Sequence, residues 1–591
     1  MCGIAGCMRL GQGAPIELAA LARVRDHLRA RGPDGAGLWQ SSDARVALAH
    51  RRLAIIDLSE RGLQPMHEGE LSIVFNGEIY NYQALRAELL RRGERFQSDS
   101  DTEVLLKWYR IEGVAMFARL RGMYALAIWD AARGELLLAR DPFGIKPLYY
   151  AQQAGRLWFA SQARALVDTG VVAATLDARA WAGFLLWGSV PEPRTVYAKV
   201  RALPAGSWLR VRETGLIGEP QLHTDLNRLV SSAGRPVSAE SVRAAVLDSV
   251  RHHLVADVPV GVFLSAGIDS AAVLGLAAEI APPPESLTLG FAEFAGSARD
   301  EAPLAAEIAA RYGSRHQVRR VDRTEFEGDL PAILAAMDQP SIDGVNTWFV
   351  AKAARERGWK VALSGLGGDE LFGGYPAFSD LPRWVRRLGW TRQLPRLSAR
   401  VGRWLGRLAA HPKAQGMLAY GGSWAGAYFL RRGLFMPWEL KAERPSWLPD
   451  DPDALADMLE ALRQLISPDP GSDHARVSLL ESGWYMRHQL LRDSDWASMA
   501  HSLELRVPLV DIELTRALAP GLPARSAGSS VAKSLLAEAP RPPLPAAFVQ
   551  RPKSGFETPV AGWIEGGHGR EPWARVWARR VLQHPGFRGV A

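Results

Sequence analysis

The sequence predicts two domains of different class: an α+β domain of stacked antiparallel sheets with helices outside, then an α/β, helix-rich domain. Three observations predict this. A chain of 591 residues is longer than one core fills, so two or three domains are the natural count. In the first third, short apolar runs alternate as strands do: Leu71-Ser72-Ile73-Val74-Phe75, Tyr124 to Trp129, Leu136 to Ala139 and Leu157 to Ala160. Further on, strands are separated by long alanine-rich helices. The composition shift sets the boundaries: a first domain over 2–212 and a linker over 213–236, from Gly215-Leu216-Ile217-Gly218 to Ala233-Gly234-Arg235-Pro236. A second domain covers 237–591, with a helical insert at about 377–480 rich in Trp, Arg and Leu.

Composition narrows the function classes. Hydrophobic residues make up 47% and the mean hydropathy is −0.08, the profile of a soluble globular protein. Cys2 and Cys7 are the only cysteines, so neither a disulfide framework nor a cysteine zinc site is expected. With no secretory leader visible, a cytoplasmic location is expected. No apolar run approaches the ~18 residues that would cross a bilayer, and Phe184-Leu185-Leu186-Trp187 reads as core. The net charge of +8 is concentrated in arginine-rich stretches such as 383–387 and 575–580. Without finger, zipper or RNA-recognition spacing it reads as a solvated basic face, and no nucleic-acid partner is expected.

Met1-Cys2-Gly3 opens the chain. Removal of the methionine would leave one residue carrying both a thiol and an α-amine, whose pKa is about 7.7–8.0. Such an amine can take the thiol proton and later return it to a leaving amine; a buried cysteine near a terminus is the plain alternative. Behind Cys2 come Arg31-Gly32-Pro33-Asp34-Gly35, His50-Arg51-Arg52, Phe75-Asn76-Gly77-Glu78, Ser98 to Glu103 and Arg140-Asp141-Pro142-Phe143-Gly144. In this order they resemble the glutaminase domain of the class II, N-terminal-nucleophile glutamine amidotransferases, over roughly 2–210. The resemblance implies a four-layer αββα fold. Glutamine is a zwitterion: Arg52 can fork its carboxylate, Asp101 can take its ammonium, and Glu78 is a second acid. By family analogy Asn76 and the Gly77 N–H are the oxyanion donors.

The second chemical centre is Val260 to Ser270. An apolar run enters a small-residue loop, and a helix leaves it. Backbone N–H groups at such a helix start can cradle a phosphate with Ser265, Gly267 and Ser270, while Asp269 can reach a magnesium ion. The loop lacks the lysine of a Walker A motif. It resembles the pyrophosphate loop of substrate-adenylating enzymes, with Ala266 in place of the usual glycine. Ser364-Gly365-Leu366-Gly367-Gly368-Asp369-Glu370 follows, then Leu503 to Asp511, Lys533 and Arg551-Pro552-Lys553-Ser554-Gly555-Phe556.

With the glutaminase half, these motifs resemble the glutamine-hydrolysing asparagine synthetases over nearly the whole chain. The resemblance implies an ATP-pyrophosphatase-like synthetase domain that adenylates a carboxylate with ATP and Mg²⁺ and then amidates it with ammonia led from Cys2. It implies Asp269 and Asp369 as metal ligands and Lys533 beside the leaving pyrophosphate. Leu264 and Leu289 would border the adenine, with Ser364 and Gly365 against the nucleotide. It also implies a homodimer. The family usually carries an acid at the position of Leu366, so here either Glu370 or Asp343 takes its place, or the acceptor is not aspartate. The insert either shapes a larger acceptor pocket or is a helical embellishment. Three readings stay open: an asparagine synthetase acting on aspartate, a related amidotransferase acting on a peptide or sugar carboxylate, and a non-catalytic scaffold.

Overall fold

The computed structural model describes residues 2–591 except 232–235, 281, 395–396, 399–400, 403–411, 449, 523–530, 552–557, 566–570 and 588–591. Most of the Arg551–Phe556 motif therefore lies outside the described residues.

The first half is a sandwich of antiparallel strands: β1 (Gly3–Arg9), β2 (Gly35–Gln40), β3 (Val46–Arg52), β4 (Met66–Glu68), β5 (Leu71–Ile79), β6 (Gly122–Asp130), β7 (Glu135–Arg140), β8 (Tyr149–Gln153), β9 (Arg156–Ala160), β10 (Arg201–Ala202), β11 (Ser207–Arg212) and β12 (Gly215–Leu222). They form one sheet in the order β10-β8-β9-β1-β3-β2 and a second in the order β12-β11-β7-β6-β5-β4. Strand alternation builds the layers. In β1, Ile4 and Met8 enter the core between the sheets with Val74, Leu138 and Phe159, while Ala5 and Cys7 join Leu21 and Val24 of helix Leu18–His27. In β5, Ile73, Phe75 and Ile79 pack on Leu85, Leu105 and Trp108 of helices Tyr82–Arg91 and Asp101–Glu112. The result is the expected αββα order.

The linker expectation is corrected in part. Residues 215–222 form β12, paired with β11 in a register that opens at Arg212↔Gly215. Gly215 and Gly218 take positive φ values of 112° and 72°. The glycines that read as breakers thus supply a hairpin turn and a kinked edge strand.

The second half is built on a parallel sheet in the order β15-β14-β13-β16-β17, with β13 at Val260–Phe263, β14 at Ser286–Phe291, β15 at His316–Val321, β16 at Val361–Leu363 and β17 at Glu504–Arg506. Both faces are covered, so the middle of helix Ile268–Ile280 is apolar all round: Val273, Leu274 and Leu276 share a core with Val246 and Val250 of helix Ala239–His253. From β13 the chain proceeds outward through β14 to β15, and β16 returns on the other side. This is a topological switch point, and the crevice at the carboxyl ends of β13 and β16 is where such sheets bind ligands.

The described part of 377–480 is helical, including Ala377–Leu388, Trp424–Arg432, Ala454–Leu465 and Asp473–Leu480. Leu381, Tyr428, Phe429 and Leu462 pack on Leu186 and Trp187 of helix Ala178–Trp187, so this stretch clamps the two halves together. Buried charges do the same: Arg121 forks Asp511 at 2.8 and 3.0 Å. Among the described residues no helix is long and apolar enough to cross a membrane.

Candidate active sites

Cys2 stands at the head of β1 and is 9% exposed. Its backbone N–H donates to Asn76 Oδ1 at 3.0 Å, which fixes the Asn76 amide with its nitrogen facing away. Asn76 is fully buried in β5, and that nitrogen has no partner among the described residues. A buried orphan donor is costly unless something outside the protein satisfies it; beside a nucleophile it can hold a developing oxyanion. Burial pushes the Cys2 thiol above its ordinary pKa, opposed by the Leu53 N–H, and the charges of Glu78 and Arg52 both reach it. The thiol therefore needs a base to ionise.

Gly77 follows Asn76 within β5. A Cβ there would lie 2.1 Å from the Met123 carbonyl oxygen and 2.7 Å from Tyr124 Cα, so only glycine lets β5 lie this close to β6. Arg52 is buried with its guanidinium on the loop after β3, donating to Ser59 O at 2.7 Å and to Asp57 O. Five N–H donors leave it others for a ligand. Asp101 begins helix Asp101–Glu112, capped by Ser100, and its Oδ2 accepts the Ile79 N–H at 3.0 Å. Burial raises its carboxyl to about 6, against that hydrogen bond. Glu78 is pushed well up, first by burial and then by the neighbouring Glu504; Arg506, on β17, approaches it at 3.7 Å. The structure thus brings Cys2, Arg52, Asn76, Gly77, Glu78 and Asp101 around one buried centre.

In the second half, Leu264, Ser265, Gly267, Asp269, Ser270, Leu289, Ser364, Gly365 and Asp369 all line one cavity of about 330 Å³ at the β13/β16 crevice. The loop after β13 is tied by its own hydroxyls: Ser265 N–H donates to Ser270 Oγ at 3.1 Å, and Gly267 N–H to Ser265 Oγ at 3.2 Å. Ala266 is absent from the positive-φ residues, so alanine carries no backbone strain there. A Cβ on Gly365 would meet the Ser270 N at 2.5 Å, so glycine admits the β16 loop to the helix start.

Lys533 pairs with two acids of this lining, its ammonium 2.7 Å from Asp269 Oδ2 and also paired with Asp369 Oδ1. Burial works to lower its pKa, but the two carboxylates hold it above the ordinary value. Two acids converging on one positive charge suit a divalent ion as well. Among the described residues no cluster of three or more acidic, His or Cys groups forms, so such an ion would take its other ligands from phosphate oxygens and water, as magnesium does.

Leu366 lines the same cavity. Of the two acids offered for its place, Asp343 is in the lining, whereas Glu370 lines a separate pocket and accepts the Tyr375 hydroxyl at 3.0 Å. Sequence reasoning missed Asp493, a further acid of the lining. Burial, then the charge of Asp343, raises its carboxyl to about 8. The available signal was Arg492-Asp493-Ser494-Asp495, a charged run between Leu491 and Trp496, too polar for a core unless it serves a site.

The family described as "Glutamine amidotransferase domain" matches residues 1–221, and the family described as "Asparagine synthase" matches 241–587. A provisionally named glutamine-hydrolysing asparagine synthetase of Mycobacterium tuberculosis is 34% identical over 611 aligned residues, covering 97% of this chain and 90% of the relative. The glutamine-hydrolysing asparagine synthetase 1 of Bacillus subtilis is 32% identical, covering 99% and 90%. Among solved structures, a glutamine phosphoribosylpyrophosphate amidotransferase from B. subtilis shares 17% identity over 54% of this chain and 65% of its own. Its TM-score of 0.29 is too low to carry an argument.

Proposed function

The chain belongs to the glutamine-hydrolysing asparagine synthetase family, and we propose that it makes asparagine from aspartate, ATP and glutamine through two separate active sites. It is an ATP-dependent carbon–nitrogen ligase with glutamine as the amido donor. The observation that carries this reading is the pairing, on one chain, of an orphaned Asn76 donor beside Cys2 with a Lys533-bridged pair of carboxylates in the lining of a nucleotide-sized cavity.

Cys2 attacks the glutamine amide. Its own α-amine, freed when Met1 is removed, takes the thiol proton and delivers it to the departing ammonia. Asn76 and the Gly77 N–H hold the oxyanion, worth about 2.7–4 kcal/mol per donor in comparable acyl transfers. Arg52 binds the glutamine carboxylate and Asp101, with Glu78 behind it, the ammonium. Ammonia then crosses to the second site.

There, Leu264 and Leu289 flank the adenine, and Ser265, Gly267, Ser270, Ser364 and Gly365 hold the phosphates. Asp269 and Asp369 would hold Mg²⁺, which when bound would supply charge neutralisation to the triphosphate. Lys533 follows the charge onto pyrophosphate as the aspartate carboxylate is adenylated. Asp343 takes the position that Leu366 cannot fill, receiving the proton that ammonia loses as it displaces AMP. We place the reaction in the cytoplasm, where both cysteines stay reduced.

Cys2→Ala tests the two-site reading. It abolishes glutamine hydrolysis and leaves asparagine synthesis from ammonium at the wild-type rate. Loss of both activities in the folded variant would mean a single shared centre.

A further inference from the structure

Another cavity, of about 650 Å³, lies at the opposite end of the parallel sheet. The nucleotide cavity opens at the carboxyl ends of β13 and β16, whereas this one sits at their amino ends, against Val260, Gly261 and Lys360. No residue lines both. Its apolar wall is Trp359 with Leu254, Val258 and Pro284. Trp359 is 7% exposed, and its ring sits so close to β13 that a Cβ on Gly261 would come within 2.2 Å of it. Glycine at 261 is what admits the indole.

The other wall is cationic: Arg315, Arg357 and Lys360 face a single acid of the lining, Glu285. Glu285 is divided between two guanidiniums, pairing with Arg315 and, at 2.9 Å, with Arg357. Lys360 is held by Asp34 of the first half at 2.7 Å. Arg357 also donates to Gln317, yet its Nε is buried with no partner among the described residues. Its guanidinium carbon stands 5.9 Å from the centre of the Trp359 ring, and the Arg315 side chain is 74% exposed. Two guanidiniums sharing one carboxylate leave this wall with positive charge to spare, beside an aromatic surface. That pairing recognises an anion carried on an aromatic body.

Short routes connect this cavity to both active sites. Val260 and Gly261 pair with Val361 and Ala362, and the same two strands deliver Ser265 to Ser270 and Ser364 to Asp369 at their other ends. Asp34, the partner of Lys360, also accepts the Ala54 N–H at 2.9 Å, one residue past the Leu53 N–H that bonds the Cys2 thiol. We propose that the cavity is an effector site for an organic anion with an aromatic body, separate from both active sites. The anion is held by Arg315 and the unpartnered Nε of Arg357, and the ring packs on Trp359. Occupancy is felt at the nucleotide loops through β13 and β16, and at Cys2 through Lys360 and Asp34.

The test is calorimetric titration of the full chain with phenyl phosphate and with benzoate, the nucleotide cavity being filled beforehand with a non-hydrolysable ATP analogue and magnesium. The two probes distinguish a phosphate monoester from a carboxylate as the anion. Arg315→Gln and Arg357→Met each weaken binding about tenfold, the loss of one charge-assisted contact. Bound probe shifts half-saturating glutamine, or the dissociation constant of ATP, at least about twofold in the wild type. At the same probe concentration the shift shrinks in both variants. Glutamine hydrolysis without probe stays at the wild-type rate in both, which reports that they are folded. Absence of binding by either probe, or binding that both variants leave unchanged, overturns the site. Binding that shifts neither quantity overturns its effector role.

Discussion

Arg31 and Asp495 meet across the boundary between the two halves, 464 residues apart in sequence, at 2.7 and 3.1 Å. Their side chains are 2% and 5% exposed. Arg31 Nε also donates to the Cys2 carbonyl oxygen at 3.2 Å, so a carboxylate of the synthetase half positions the guanidinium that holds the nucleophile's own peptide. Lys146 lies 3.8 Å from the same carboxylate. Asp495→Ala would leave the buried Arg31 without its carboxylate, and breaking a buried pair in this way costs about 3–5 kcal/mol. Denaturant titration of the variant will show that loss, and glutamine hydrolysis will fall even under conditions where the protein stays folded. Asp495→Asn keeps an acceptor for Arg31 and will lie between the variant and wild type on both measures.

Gly77→Ala tests the oxyanion site without touching the nucleophile. The added methyl meets backbone atoms at 2.1 and 2.7 Å, which cannot rotate away, so β5 must part from β6 next to Asn76. Glutamine hydrolysis will drop at least about a hundredfold, the scale of losing one donor. Synthesis from ammonium will persist, because the second cavity is built on a different sheet.

Asp101 predicts a pH limb in glutamine binding. Its carboxyl is raised to about 6, and only the ionised form pairs with an ammonium group. Half-saturating glutamine will therefore rise as pH falls through about 6, and Asp101→Asn will weaken binding at neutral pH and flatten the limb. The effect on stability has the opposite direction. A carboxyl whose folded pKa is raised contributes stability that is full below its ordinary value of 3.8 and is lost as pH rises through about 6.

Lys533→Met removes the cation between Asp269 and Asp369. The two carboxylates then lose the ammonium that they share. Pyrophosphate release will fall by more than about a hundredfold, as for other charge-stabilising groups, and glutamine hydrolysis will be retained.

Much of both candidate sites was legible because it is written in contiguous motifs. Asn76-Gly77-Glu78 is three adjacent residues of β5, and Ser265 to Ser270 is one strand-to-helix loop. The β12 hairpin was not legible, since Gly215 and Gly218 look alike in a turn and in a linker. Asp493 and the Arg31–Asp495 pair were hidden for another reason. Their significance comes from packing between segments hundreds of residues apart, and along the chain they are only charges in a helix. Packing likewise separates the two acids that the sequence offered in place of Leu366: Asp343 lines the same cavity and Glu370 a different one.

The central claim is that the amide nitrogen of glutamine ends in the side chain of asparagine. The direct measurement is the reaction with amide-¹⁵N glutamine, ATP, magnesium and aspartate, following label and pyrophosphate together. The account predicts ¹⁵N in the asparagine amide, with one pyrophosphate released per asparagine formed. Label found only in free ammonium, with pyrophosphate release unaffected by aspartate, would contradict it.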